Sequence, residues 1–324
     1  MKTSKNPCTA KSRSVTSILG TGTILLGGVL ACNAHAESIV GLTNTQQLSV
    51  FDSTTPGNGS SLISISGLQT NEIILGIDYR PSTGMLYGLG NANRLYTLDA
   101  GTGVASFVAS LTTADGSSPY ALAGQAFGVD FNPVPDLGMT LPSLRVTSNA
   151  GENLRINVNG AEAGRVSVDM ALNGPPGAPS IGASAYTNPD MDPNTGTALF
   201  GIDFGNESVY QQVPPNDGNL VLIGALGVDT TGHVGYDISA TGMAYASLTD
   251  PATGKSSLYT IGANGAATLV GAFGIGGNTA IAPSLAGIAV TPVPEPSEYA
   301  LFAAGLAIVA FAVRRRRASQ APLS

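Results

Sequence analysis

The chain has 324 residues, a net charge of −7, 42 glycines, 20 prolines, two cysteines and no tryptophan. An acidic excess argues against nucleic acid and anionic membrane surfaces as partners. Both cysteines, Cys8 and Cys32, fall in the first 32 residues, so the rest of the chain has no thiol, no disulfide and no cysteine metal site.

The first segment is a secretory signal peptide, residues 1–36. Lys2, Lys5, Lys11 and Arg13 make its basic start, residues 18–30 are apolar and glycine-rich, and Ala34-His35-Ala36 is a small-x-small site for signal peptidase before Glu37. A rival is Val29-Leu30-Ala31-Cys32, a faint lipoprotein box in which Leu30 fits poorly. Eight of the fourteen basic residues lie in the two chain ends, which leaves the body, 37–290, with six basic and nineteen acidic residues, a net charge of −13. Such acidity favours solubility, cations or basic partners. With 254 residues the body can bury a single core.

The body repeats. One copy runs Leu75-Gly76-Ile77-Asp78-Tyr79, a Pro81-Ser82-Thr83-Gly84 turn, Met85-Leu86-Tyr87-Gly88-Leu89, Arg94 to Asp99 and Ala105 to Val108. Further copies open at Phe127-Gly128-Val129-Asp130-Phe131, at Ala183-Ser184-Ala185-Tyr186 and at Val234-Gly235-Tyr236-Asp237-Ile238. Each unit spans about fifty residues, the length of a four-stranded propeller blade. The fifth unit is split: residues 285–290 match only a first strand, and the missing strands lie at 38–43, 47–52 and 62–65. Pairing them closes a ring and removes a sheet edge. The expectation is an all-β, five-bladed β-propeller whose closing blade comes from both ends of the body. Six blades are an alternative, since the 111–125 and 171–183 linkers are long; a β-sandwich pair does not explain the split unit.

No catalytic residue is assigned. His233 is the body's one histidine, in a turn before a strand, with no GxSxG elbow to join it. No HExxH or phosphate loop occurs, and Gly274-Ile275-Gly276-Gly277 reads as a linker because no helix pattern follows. Asp190, Asp192 and Asn194 could aim three oxygens at Ca²⁺, the one cofactor considered. Against it, the glycine is displaced by one and the twelfth position is Gly201; sibling turns without the acid pair favour plain turn chemistry. Asp78, Asp130 and Asp237 take equivalent places in their first strands, level with Tyr186 in another unit. If those strands line the channel, the three acids converge into an axial cation or ligand site. The competing reading has each aspartate ending its strand and bonding turn amides.

Gly128-Val129-Asp130-Phe131-Asn132-Pro133-Val134-Pro135-Asp136, Leu144-Arg145-Val146-Thr147-Ser148 and Gly151-Glu152-Asn153-Leu154-Arg155-Ile156-Asn157 together resemble a secreted bacterial family whose domain has no assigned function. The resemblance spans most of 38–290 and implies fold and export, not an activity.

The tail, 291–324, follows. Pro292, Pro294 and Pro296 forbid a helix until past 296; residues 299–313 are apolar, and Arg314, Arg315, Arg316 and Arg317 close the run. Fifteen residues give about 22 Å of helix, short of the roughly 30 Å hydrocarbon core unless the arginines snorkel. A single transmembrane helix with its C-terminus inside is expected; a buried helix with a basic end is the alternative. Val293-Pro294-Glu295-Pro296, helix and arginines resemble the PEP-CTERM sorting signal of Gram-negative, exopolysaccharide-producing bacteria. That resemblance implies cutting near the motif by an exosortase-type protease, and a mature protein at the cell surface or in the extracellular matrix, partnered by exopolysaccharide or a surface protein. Two function classes remain: a non-catalytic glycan- or protein-binding propeller, and an extracellular glycosidase or lyase using channel carboxylates. The lack of tryptophan, the usual sugar platform, favours binding.

Overall fold

Four of the repeats each make one antiparallel sheet. The computed structural model describes residues 36–138, 142–174, 177–190, 192 and 194–292. Blade 1 is Ile74–Arg80, Met85–Gly90, Arg94–Leu98 and Ala105–Ser110. Blade 2 is Phe127–Phe131, Leu144–Ser148, Asn153–Ile156 and Arg165–Val168. Blade 3 is Ile181–Tyr186, Leu199–Asp203, Ser208–Gln212 and Leu220–Ala225; blade 4 is Val234–Ile238, Ala244–Thr249, Ser256–Ile261 and Ala267–Ala272. The closing blade joins Leu285–Val290 to Ser38–Thr43, Gln47–Asp52 and Ile63–Ser64. Ile39 pairs with Val290 and Gly41 with Ile288, so the two ends of the body share one ladder. The first strand of each blade neighbours the first strand of the next right round the ring. The fold is a five-bladed β-propeller.

The five-blade count holds, and two short elements lie outside the sequence reading. The 111–125 linker holds no sixth blade; Thr112–Thr113 adds a short parallel strand to the outer edge of blade 2. A short helix, Pro133–Gly138, follows the first strand of blade 2. Its prolines sit in the first turn, where a helix has no use for their missing N–H groups.

Glycine in the first strands has a steric reason. A Cβ at Gly128 would lie 2.6 Å from the Ser184 amide nitrogen, and one at Gly235 would lie 2.6 Å from that of Ile288. Neighbouring blades run close together there, and only a residue without a side chain fits.

The core lies in the seams between blades. Val40, Leu42, Ile74 and Ile77 fill the seam between the closing blade and blade 1; Leu89, Leu95, Val129 and Leu144 fill that between blades 1 and 2. Ile202, Val209, Val234 and Tyr236 join blades 3 and 4, and Ile39, Tyr245, Leu258 and Ile288 join blade 4 to the closing blade. The seam between blades 2 and 3 differs. Its apolar cluster is small, and the buried Arg145 side chain crosses it, donating to Asn216 Oδ1 at 2.8 Å and Tyr186 Oη at 3.2 Å. Thr147 and Ser184 exchange a buried hydroxyl bond of 2.7 Å beside it.

Candidate axial site

The first strands carry Asp78, Asp130 and Asp237 to the axis. The three side chains are buried, and one carboxylate oxygen from each lies within 4.8 Å of the others. They form the floor of a cavity of about 350 Å³, also lined by Tyr79, Phe131, Tyr186 and Asp190, with Thr83, Gly84 and Ala240 at its exposed rim. Tyr186 lines the cavity but sits one residue beyond the aspartate level. Ala185 pairs across to Phe200 as Asp130 does to Arg145, and Ala289 holds the same level in the closing blade.

A simple count explains the aspartates. The residue after this level in each blade turns its backbone N–H toward the axis, and each of those five amides is bonded by a carboxylate. Asp78 accepts from Tyr79 with Oδ1 and from Phe131 of the next blade with Oδ2, both at 2.7 Å. Asp130 Oδ1 accepts from Tyr186 of blade 3 at 2.9 Å. Asp237 accepts from Ile238 at 2.6 Å and, with its other oxygen, from Val290 of the closing blade. Five donors meet six oxygens, and among the described residues Asp130 Oδ2 is left without a hydrogen-bond partner. Both sequence readings were partial: the acids do converge, and they do bond amides, but three of those amides belong to the neighbouring blade.

The electrostatics follow. Burial, then the charge of Asp237, pushes the Asp78 carboxyl well above the usual carboxylate range, against the pull of the Phe131 and Tyr79 amides. Burial and the charges of Asp78 and Asp237 do the same to Asp130, which has one amide to oppose them. Burial raises Asp237 to about 6, moderated by the amides of Val290 and Ile238.

The other candidates fall elsewhere. Asp190 Oδ1 accepts the Asp192 amide at 3.0 Å, and Asp192 Oδ1 accepts both the Asn194 amide and its side-chain N–H at 2.9 Å, the bonds of successive Asx turns. His233 Nδ1 is 3.3 Å from Ser284 Oγ, far from the axial acids and outside their cavity. Ala36 is exposed, while Ala34, Val293, Pro294, Glu295, Pro296 and Arg314 to Arg317 lie outside the described residues, as does the apolar tail helix. Among the described residues no helix is long and apolar enough to cross a membrane.

Residues of the family-like pattern form buried clamps that sequence reasoning left without a role. Asp169 pairs with Arg145 at 2.7 Å and bidentately with Arg155 at 2.8 Å, and Arg145 also bonds Asn153. Asp136, fully buried, takes Arg80 of blade 1 at 2.7 Å, the Ser82 amide at 3.0 Å and the Ser143 hydroxyl at 2.9 Å.

The fold and its axial acids define a β-propeller with an acidic cavity at one mouth of its channel. Residues 47–283 match the family described as "Domain of unknown function (DUF4394)", and the chain belongs to that family. No curated protein matches. Solved structures similar to it include one from a nidogen/laminin complex, at 11% identity, covering 78% of this chain and 98% of that one with a TM-score of 0.43. A protein from Lactobacillus plantarum has 16% identity, coverage of 74% and 67%, and a TM-score of 0.33. A protein of unknown function from Bacteroides thetaiotaomicron VPI-5482 has 14% identity, coverage of 70% and 55%, and a TM-score of 0.40.

Proposed function

We propose that the protein is an exported propeller, held at the cell surface or in the extracellular matrix, that binds a glycan or protein ligand in its axial cavity without catalysis. Export rests on the sequence: a signal peptide over 1–36 cut by signal peptidase, a body over 37–290, and a PEP-CTERM-like tail over 291–324 handed to an exosortase-type protease. The binding reading rests on one observation above all: five of the six axial carboxylate oxygens are committed to backbone amides. A glycosidase needs one carboxyl free to give a proton and another free to attack or to activate water. Carboxylates that clamp blades together serve poorly in either part. Tyr79 is the half-buried aromatic on the cavity wall, whereas Phe131 and Tyr186 are fully buried. It is therefore the surface against which a ligand would stack.

The purified protein applied to a glycan array, and to surface proteins of its own cells, tests this. Specific capture that Tyr79→Ala weakens about tenfold supports the reading. Turnover of any captured glycan, lost in Asp78→Asn or Asp237→Asn variants that remain folded, would instead establish the glycosidase or lyase alternative.

A further inference from the structure

The sixth oxygen points to a ligand of its own. Asp130 is 4% exposed and lines the cavity, and none of the five axial amides remains to bond its Oδ2. An enclosed carboxylate oxygen that no protein donor reaches is left to a cavity water, a proton or a cation. Three oxygens from three blades, mutually within 4.8 Å, surround one point on the axis. A triangle no larger than that has its centre at most about 2.8 Å from each corner, a span that admits the 2.3–2.6 Å of Ca²⁺–oxygen bonds, and calcium tolerates irregular oxygen geometry better than Mg²⁺ does. Oxygens that accept one amide each keep a lone pair for a metal. The adjoining cavity has room for several waters, which calcium needs to reach six to eight ligands. Nitrogen and sulfur ligands are missing from the cavity lining, which disfavours zinc and copper.

We infer that Asp78, Asp130 and Asp237 hold a single Ca²⁺ on the propeller axis, one carboxylate oxygen from each, with cavity waters completing its shell. The ion would lie beneath the ligand cavity and bind three blades to one another. It would also give an anionic or hydroxyl-rich ligand a positive contact at the base of an otherwise acidic pocket. The inference deepens the binding reading of the same cavity, yet the two fail separately. Calcium without captured glycan leaves the ion site standing, and glycan capture in chelator leaves the binding reading standing.

The test is calorimetric titration of Ca²⁺ and Mg²⁺ into the purified full chain after chelation, with melting followed in parallel. One Ca²⁺ per chain is expected, with Kd on the order of 10⁻⁴–10⁻³ M as in other extracellular sites, a raised Tm, and weaker Mg²⁺ binding. Asp130→Asn keeps the acceptor for Tyr186 and removes the free oxygen; it should fold and bind Ca²⁺ at least about tenfold more weakly. Asp192→Ala, in the 190–194 turn, controls for binding there. Absence of heat and of a Tm shift at about 10 mM Ca²⁺ would overturn the inference, as would binding that Asp130→Asn leaves intact.

Discussion

At the scale of single residues, the three aspartates are unequal, and their differences are measurable. Asparagine in place of Asp78 or Asp237 keeps one acceptor oxygen but turns an N–H₂ toward the second amide, leaving a buried donor facing a donor. Each change should cost about 1–3 kcal/mol, read as a lower urea midpoint in chelator. Asparagine at Asp130 loses no amide bond, because its oxygen stays on Tyr186 while its N–H₂ replaces the unpartnered Oδ2 and can donate to a neighbouring carboxylate. It also removes one of three crowded charges, so Asp130→Asn should melt at or above the wild-type temperature in chelator. Equal losses at all three positions would show that amide bonding does not set their roles. The acids were legible in the sequence because a repeated strand puts equivalent residues at one level. Their partners were not, because a backbone N–H has no residue signature. Tyr186 came out one place off because blade 3 opens Gly182-Ala183-Ser184-Ala185, where the other complete blades keep a single residue between the first-strand glycine and the axial level.

Among the blades, the seam between blades 2 and 3 is the polar one. Blades 2 and 3 meet through Arg145, Asn153, Asp169, Asn216 and Tyr186 rather than through a broad apolar layer. Arg145→Met should cost less than Arg145→Ala, since a long apolar chain fills the space. Both leave Asp169 short of a partner, and the alanine variant should lose about 3–5 kcal/mol in urea unfolding. Burial alone raises the Asp169 carboxyl, but hydrogen bonds from Arg155 and Arg145 outweigh it and hold the group below the usual range. A depressed folded pKa contributes stability that is full above the unfolded value, about 4, and disappears as pH falls through the lower folded value. The stability gap between wild type and Asp169→Asn should therefore be constant from pH 7 to about 5 and shrink below about 4. A gap that persists unchanged at pH 2.5 would show that the pair contributes no charge-dependent stability. Strand identity and order in this region were legible from the repeated glycines and alternating apolar residues. The 112–113 strand and the Pro133–Gly138 helix were not, being too short to show a period.

For the molecule as a whole, the split blade decides stability and also where the two chain ends leave the body. The split was legible because one unit lacked three strands that the other end supplied. Thr291 N bonds Ser38 O at 2.8 Å, so the proposed signal peptide and sorting tail depart from neighbouring points. Ending the chain at 284 would strip the closing blade of its first strand, unpair Val290 from Asp237 and open the Ile39–Tyr245–Ile288 seam. That chain should lose cooperative melting. A permutant opened in the 113–118 turn, with residue 291 joined to residue 38 through a short glycine–serine linker, makes the closing blade from consecutive strands and should melt cooperatively. The same departure point bears on access. Val290, Thr291 and Pro292 line the axial cavity, and the sorting motif begins at Val293. With the tail in a membrane, only a few extended residues, at most about 3.6 Å each, would separate the cavity mouth from the lipid surface. A cavity held that close would be shielded from large ligands, and cutting near 293–296, as the proposed processing requires, would free it. In vesicles, full-length protein should therefore capture a polymeric ligand more slowly than protein cut at the motif, while both bind Ca²⁺ alike because an ion diffuses under the rim. Equal capture rates before and after cutting would place the mouth away from the membrane, and processing would then set location without setting access.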